Sequence, residues 1–376
     1  MGKPAAHLDL PSGLILRLLG AIAPVLILVA VVQALMTADI HGRLAVRLGG
    51  LLVLNTLVAI SVGLLVANVV RPGSHAHLER PASTPKISGD VVSQLLDNIP
   101  DSLVKPLVDN KVIGVVMVAL AFGLAARKLT EHQRKTAEDL VAVVFQCILV
   151  VLHWVIALVP LAVFGKVASI VGSSGFRPFI ALGMFVAAVL IALTLQASYY
   201  LIRIRFGSWV RPLELLRGTR DALVMAFSTA SSTATMPVTY QCLREKVGLS
   251  PRAASLGALV GSNFNNDGTA LYEAMSALFV AQMLGMELTI VQQVLVVVTS
   301  VIASVGAAGI PEAGLVTMTL VFTAVGLPTE YIALLLTVDW FLDRCRTALN
   351  VMGDMNVACL LDGKEKPVVS VSVAET

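Results

Sequence analysis

Long apolar stretches alternate with short polar ones along this chain. Leu14–Met36, Leu48–Val70, Val112–Ala126, Leu140–Val171, Phe179–Ile202, Ala253–Leu284, Ile290–Val325 and Tyr331–Leu361 are each predominantly hydrophobic. A run of about twenty apolar residues is long enough to cross a bilayer as a helix. Inside the bilayer every backbone N–H and C=O needs a partner within the protein, which leaves helices or closed barrels. Barrel strands would alternate apolar and polar residues, and these stretches do not. The pattern predicts an all-α polytopic membrane protein, with the longest runs broken or tilted.

Composition agrees with that reading. Of 376 residues, 57% are hydrophobic and only 14% charged, and the mean hydropathy is +0.85. The net charge of +3 says less than the placement of the basic residues. Arg43 and Arg47 follow the first stretch; Arg127, Lys128, Arg134 and Lys135 follow the third. Arg203, Arg205, Arg211, Arg217 and Arg220 follow the fifth, and Arg244, Lys246 and Arg252 precede Ala253. These clusters alternate with basic-poor connections, which predicts that they are cytoplasmic. The N-terminus then falls outside, although Met1–Ser12 has no signal-peptide core.

Other motifs are sparse. Cys147, Cys242, Cys345 and Cys359 form no CxxC pair or metal set and read as small buried thiols. His153 lies in an apolar stretch and reads as a core residue. Arg71–Asp109 carries Pro, Ser and Gly and reads as an extramembrane loop. No phosphate, dinucleotide or nucleic-acid motif is present, so nucleic acid is not an expected partner.

Polar residues inside apolar helices mark function by default, because burying them is expensive. The last stretch carries Asp339, Asp343, Arg346, Thr347, Asn350 and Asp354. Relative to Asp343 they stand at −4, +3, +4, +7 and +11, one stripe of a helix. Gly261-Ser-Asn263-Phe-Asn265-Asn266-Asp267-Gly268-Thr269 is too rich in Asn, Asp and Gly for a continuous helix. It predicts a helix broken at mid-membrane, with free carbonyls as hard ligands for an alkali cation. Glu273 follows one turn later.

Two more segments interrupt apolar runs with small residues and a proline: Ser231-Ser232-Thr233-Ala-Thr235-Met-Pro237 and Gly306-Ala-Ala-Gly309-Ile-Pro311-Glu-Ala-Gly314. They predict two re-entrant hairpins meeting at a substrate site. Asp267, Asp339, Asp343 and Asp354 are then four intramembrane acids facing one cation, Arg346. Each costs about 2.5–3.5 kcal/mol at a helix centre, which argues for Na⁺ or H⁺ coupling. Arg346 can grip a planar carboxylate with two parallel bonds, and Asp343 can take an ammonium. The pair suits an amino acid with a second carboxylate.

The motifs at 231–239, 265–273, 306–317 and 343–354 together resemble the dicarboxylate/amino acid:cation symporter family, the glutamate transporter family, in order and spacing. The resemblance covers nearly the whole chain. It implies a homotrimer in the plasma (inner) membrane, multi-pass, with a fixed scaffold and a transport part that moves like an elevator. It places mainly scaffold helices at 13–70 and 135–206, with the family's third helix contributing to the transport part. An extracellular loop falls at 71–110 and a fourth helix with its cytoplasmic loop at 111–134. The transport core takes 207–376: hairpin one at about 215–245, broken helix 251–286, hairpin two at about 290–326, last helix 330–361. Leu14–Met36 resembles the family's second helix, so the first is expected to be missing.

Carried over residue by residue, Asp343 would bind the substrate amine and Arg346 its side-chain carboxylate. Asn350 and Ser232 would meet the α-carboxylate, with Ser231, Thr269 and Thr347 beside them and Gly314 in the extracellular gate. One cation site would use Gly261, Asn265, Asn350 and Asp354; a second Asp267, Asn265, Thr56 and Asn55; a third the carbonyls near Ser304, Val305 and Ala307. Glu273 matches a proton-binding glutamate, and Arg344 an arginine of the animal members. The sequence departs from the family at Asn266, Asn263, Asn55, Leu52 and Glu312. No cofactor is implied beyond transported cations. The resemblance gives the cargo as glutamate or aspartate; a C4 dicarboxylate, a neutral amino acid and an anion conductance are the alternatives. An enzyme is disfavoured, since Ser231 and Ser232 have no histidine or lysine in a neighbouring motif to activate them.

Overall fold

The computed structural model describes residues 10–37, 43–75, 100–109, 111–306 and 313–366. The helices in chain order are α1 (Leu10–Thr37), α2 (Arg43–Val70), α3 (Lys105–Val108), α4 (Val112–Ala126), α5 (Glu131–Ile156), α6 (Val159–Ser174) and α7 (Arg177–Gly207). Then follow α8 (Pro212–Gly218), α9 (Arg220–Thr229), α10 (Ser232–Gln241), α11 (Pro251–Ser255), α12 (Gly261–Phe264) and α13 (Asp267–Met283). Last come α14 (Ile290–Gly306), α15 (Ala313–Ala324) and α16 (Ile332–Asp362). No strand occurs among the described residues. The stretches Gly13–Met36, Val46–His75, Glu131–Gly172 and Pro178–Gly207 are long and apolar enough to cross a membrane.

Polarity is distributed inside out. Leu140, Val143, Trp154, Leu161 and Phe164 of α5 and α6 are exposed, whereas Asp267, Glu273, Arg346 and Asp354 are buried. Water would penalise that exterior, but lipid does not. His153 is exposed on α5 rather than part of the core, because its face of the helix points outward. Cys147 is likewise exposed, while Cys242 and Cys359 are buried.

Two groups of helices share the core. α1 packs against α4, α5 and α6, while α13 is enclosed by α2, α14 and α16. α7, which the sequence groups with the scaffold, packs mainly against α2 and α16. Close approach to α13 depends on small residues. A Cβ on Gly63 of α2 would meet Leu271 at 3.0 Å, and one on Gly73 would meet the Phe279 carbonyl at 2.3 Å.

The broken helix falls where its composition predicts. π-helical turns at Leu256–Val260 join α11 to α12, and the chain leaves helical geometry at Asn265 and Asn266 before α13 starts at Asp267. The first interrupted segment is a helical hairpin. α9 ends at Ala230 in the left-handed region, and Ser231 caps α10 by accepting the Ala234 amide at 3.1 Å. The second has the arms α14 and α15; its tip, including Ala307, Gly309, Pro311 and Glu312, lies outside the described residues. So does most of the loop at 71–110.

Candidate functional site

The stripe on α16 is buried along its length: Asp339, Asp343, Arg346, Thr347, Asn350 and Asp354. Arg346 is the largest fully buried side chain among the described residues. One guanidinium nitrogen donates to Asp339 Oδ1 at 2.9 Å and another to Asp343 Oδ1 at 2.8 Å. Its charged carbon stands 3.9 Å from the centre of the Tyr272 ring, a cation–π contact from α13. Gly314 opens α15 against this group; a Cβ there would sit 3.2 Å from Thr269 and 3.6 Å from Arg346.

Asn350 ties α16 to the helix break. Its Oδ1 accepts the Gly268 amide at 2.7 Å, and its amide group reaches Asn266 and Thr269, both at 3.4 Å. Gly268 has to be glycine, because a Cβ would lie 2.8 Å from the Arg346 carbonyl. On the other side of the break, Asn265 donates to the Asn350 carbonyl at 3.2 Å. Asn265 Oδ1 and Asp354 Oδ1 are buried without a hydrogen-bond partner. Buried polar atoms are nearly always satisfied, so such oxygens call for an explanation. Gly261 approaches the same carboxylate: a Cβ there would meet Asp354 Oδ1 at 2.5 Å. Hard oxygens converging in this way suit an alkali cation.

A second acid cluster surrounds Asp267. Its Oδ1 accepts the Thr56 hydroxyl at 2.6 Å and its Oδ2 the Tyr200 hydroxyl. Asn55, one residue before Thr56, accepts from the Arg203 guanidinium and donates to Asn356 at 3.5 Å. Glu273 is fully buried; the Thr317 hydroxyl of α15 donates to its Oε1, while Oε2 has no partner.

The chain matches the model of the sodium:dicarboxylate symporter family over residues 1–364. The chain belongs to that family. It is accordingly an integral, multi-pass membrane protein. Among its relatives, the mouse excitatory amino acid transporter 4 is 38% identical over 266 residues, 70% of this chain and 47% of the relative. The human excitatory amino acid transporter 2 is 40% identical over 246 residues, 65% of this chain and 43% of the relative. The mouse excitatory amino acid transporter 3 is 30% identical over 402 residues, 92% of this chain and 76% of the relative. The chain thus spans about half the length of the first relatives it matches.

Within this symporter-family chain, the sequence-derived residues fall into three neighbouring groups. Asp343, Arg346, Thr269, Gly314 and Asn350 come together around the guanidinium and the break. Ser232 lies across the break, donating to the Ser262 carbonyl at 3.1 Å. Gly261, Asn265 and Asp354 form the second group, Thr56, Asp267 and Asn55 the third. The Ser304 carbonyl accepts the Asn266 amide at 3.0 Å, Val305 lies in the last turn of α14, and Ala307 lies outside the described residues. Arg344 is half-buried and makes no ion pair among the described residues. Tyr200 and Arg203 enter from a helix where no motif announces them. Tyr272 and Thr317 lie inside the motifs at 265–273 and 306–317 and Asn356 just past the last one, but the sequence assigned them no role. Gln196, Tyr200 and Arg203 do stand at i, i+4 and i+7 in a predominantly apolar helix, a polar stripe that periodicity could reveal.

Proposed function

We propose that the chain is a cation-coupled carrier of acidic amino acids, glutamate or aspartate. The observation that carries this reading is the fully buried Arg346 held between Asp339 and Asp343 beside a broken helix. An acidic amino acid can exchange partners with that group. Its side-chain carboxylate takes the guanidinium, and its ammonium takes the Asp343 carboxylate that the guanidinium releases. A neutral amino acid leaves Arg346 without a gain, and a plain dicarboxylate leaves Asp343 without a cation. Asn350, Thr347, Ser231, Ser232 and Thr269 supply hydrogen bonds to the α-carboxylate, and Gly314 keeps the second hairpin close.

Cations follow from charge. Four buried aspartates face one buried arginine, and an acidic substrate adds a further negative charge. The unpartnered oxygens of Asn265 and Asp354 supply one place for Na⁺. Glu273, buried beside Thr317 and one residue from Tyr272, supplies a proton site. The hairpins are re-entrant in this reading. The apolar outer face of α5 and α6 packs in a homotrimer, while α2 and α7–α16 move together against it as an elevator in a plasma or inner membrane.

Calorimetric binding in detergent tests the reading. Aspartate or glutamate should bind in Na⁺ and not in choline, with succinate and alanine far weaker. Equal binding of alanine would remove Arg346 from the substrate site.

A further inference from the structure

The two acid clusters beside the helix break differ in what their oxygens face. At Asn265 and Asp354, buried oxygens lack a donor. At Asp267 and Asn55, every side-chain oxygen has one. Asp267 accepts from Thr56 and Tyr200, and Asn55 Oδ1 accepts from Arg203. The other polar atoms of Asn55 are committed too: its amide group donates to Asn356 at 3.5 Å and its carbonyl accepts from Gln196 at 3.3 Å.

Arg203 is separate from the basic cluster that follows it in sequence. Arg205 is exposed, whereas Arg203 is half-buried, lies 5.3 Å from the Tyr199 ring centre and points at a fully buried asparagine. Its charge lies within electrostatic reach of the Asp267 carboxylate. A guanidinium keeps its proton throughout the accessible pH range and donates in a fixed fork. At this cluster it supplies what a bound cation would supply: a donor for the Asn55 oxygen, and a positive charge near Asp267, to which it makes no ion pair and which Asn55's neighbour Thr56 hydrogen-bonds. A mobile cation entering there would have to displace the guanidinium from Asn55 and then face its charge at close range.

We infer that Arg203 is a tethered cation standing in for a mobile one at the Asp267–Asn55 cluster. The chain then carries one Na⁺ fewer per substrate than it would with an uncharged residue at position 203. The inference deepens the proposed function, but its first test needs no transport.

The purified full-length chain is melted in detergent over a range of Na⁺ concentrations. The dependence of stability on the logarithm of Na⁺ counts the ions bound by the folded state. Arg203→Gln is expected to bind one Na⁺ more than wild type, the charge-conserving Arg203→Lys the same number as wild type. Asp267→Asn added to Arg203→Gln is expected to abolish the extra ion. Arg203→Met, which keeps a long stem over Tyr199, serves where Arg203→Gln does not fold. An unchanged Na⁺ dependence in the folded uncharged variant overturns the inference. In proteoliposomes, reversal potentials should show one more Na⁺ per aspartate for the uncharged variant. An extra bound Na⁺ without uptake by any variant would support the role of Arg203 and count against the transport reading.

Discussion

Arg346 grips Asp339, seven residues earlier on the same helix, in a 2.9 Å ion pair closed off from solvent. Two helical turns separate the pair, so the guanidinium lies back along its own helix and meets Asp343 on the way, at 2.8 Å. Tyr272 covers it from α13. Folding thus positions the cation before any substrate arrives.

Removing the cation has two separable effects. Arg346→Thr leaves Asp339 buried without its charge partner, and breaking a buried pair costs about 3–5 kcal/mol. The melting temperature should fall, and Asp339→Asn in the same chain should restore most of it. Aspartate affinity should fall by at least about 30-fold, the equivalent of the about 2 kcal/mol or more lost when one partner of a buried charge pair is truncated. It should not recover in the double variant. Thermal melts and calorimetry of the four chains of the cycle check both effects, and simple additivity of stability would contradict the pairing.

The acid at Glu273 should set the response to external pH. If a proton enters with the substrate as proposed, uptake by wild type rises as the outside becomes more acidic. Glu273→Gln mimics the protonated side chain and keeps an acceptor for Thr317. Its uptake should be insensitive to the proton gradient, measured as initial rate against external pH at constant Na⁺. A variant as pH-sensitive as wild type would move proton coupling elsewhere.

Close approach of Gly261 to Asp354 predicts a sensitive point. A methyl group at Gly261 would fall 2.5 Å from Asp354 Oδ1, inside the space proposed for a cation. Gly261→Ala and Asp354→Asn should each raise the Na⁺ concentration needed for half-maximal aspartate binding. Wild-type Na⁺ dependence in both would exclude this pair of oxygens as ligands.

Tyr200 belongs to the support of Asp267. Tyr200→Phe removes the donor to Oδ2 and leaves a buried oxygen unpaired, at a cost of about 1–3 kcal/mol. The melting temperature should drop in proportion, and the drop should be smaller when Asp267→Ala, which removes the orphaned oxygen, is combined with it.

Legibility in the sequence followed locality. The stripe on α16 needs only helical periodicity, and all six of its residues are buried. The break at Asn265 and Asn266 needs only composition, because Asn and Asp compete with the helical backbone for hydrogen bonds. The partners of these residues were not legible in the same way. Tyr200 meets Asp267 from 67 positions away and Asn55 meets Asn356 across 301. Such pairings are decided by how α2, α7 and α16 pack, which no local pattern encodes. The exposure of His153 has the same origin: an apolar helix shows its composition in sequence but not which face turns outward.

Uptake of labelled aspartate into proteoliposomes, with Na⁺ and H⁺ gradients imposed separately, is the most direct test of the carrier reading. A coupled carrier should accumulate aspartate under an inward Na⁺ gradient, faster with an inward H⁺ gradient and not at all with Arg346→Thr. Absence of accumulation under every gradient, or equal accumulation by Arg346→Thr, would contradict it.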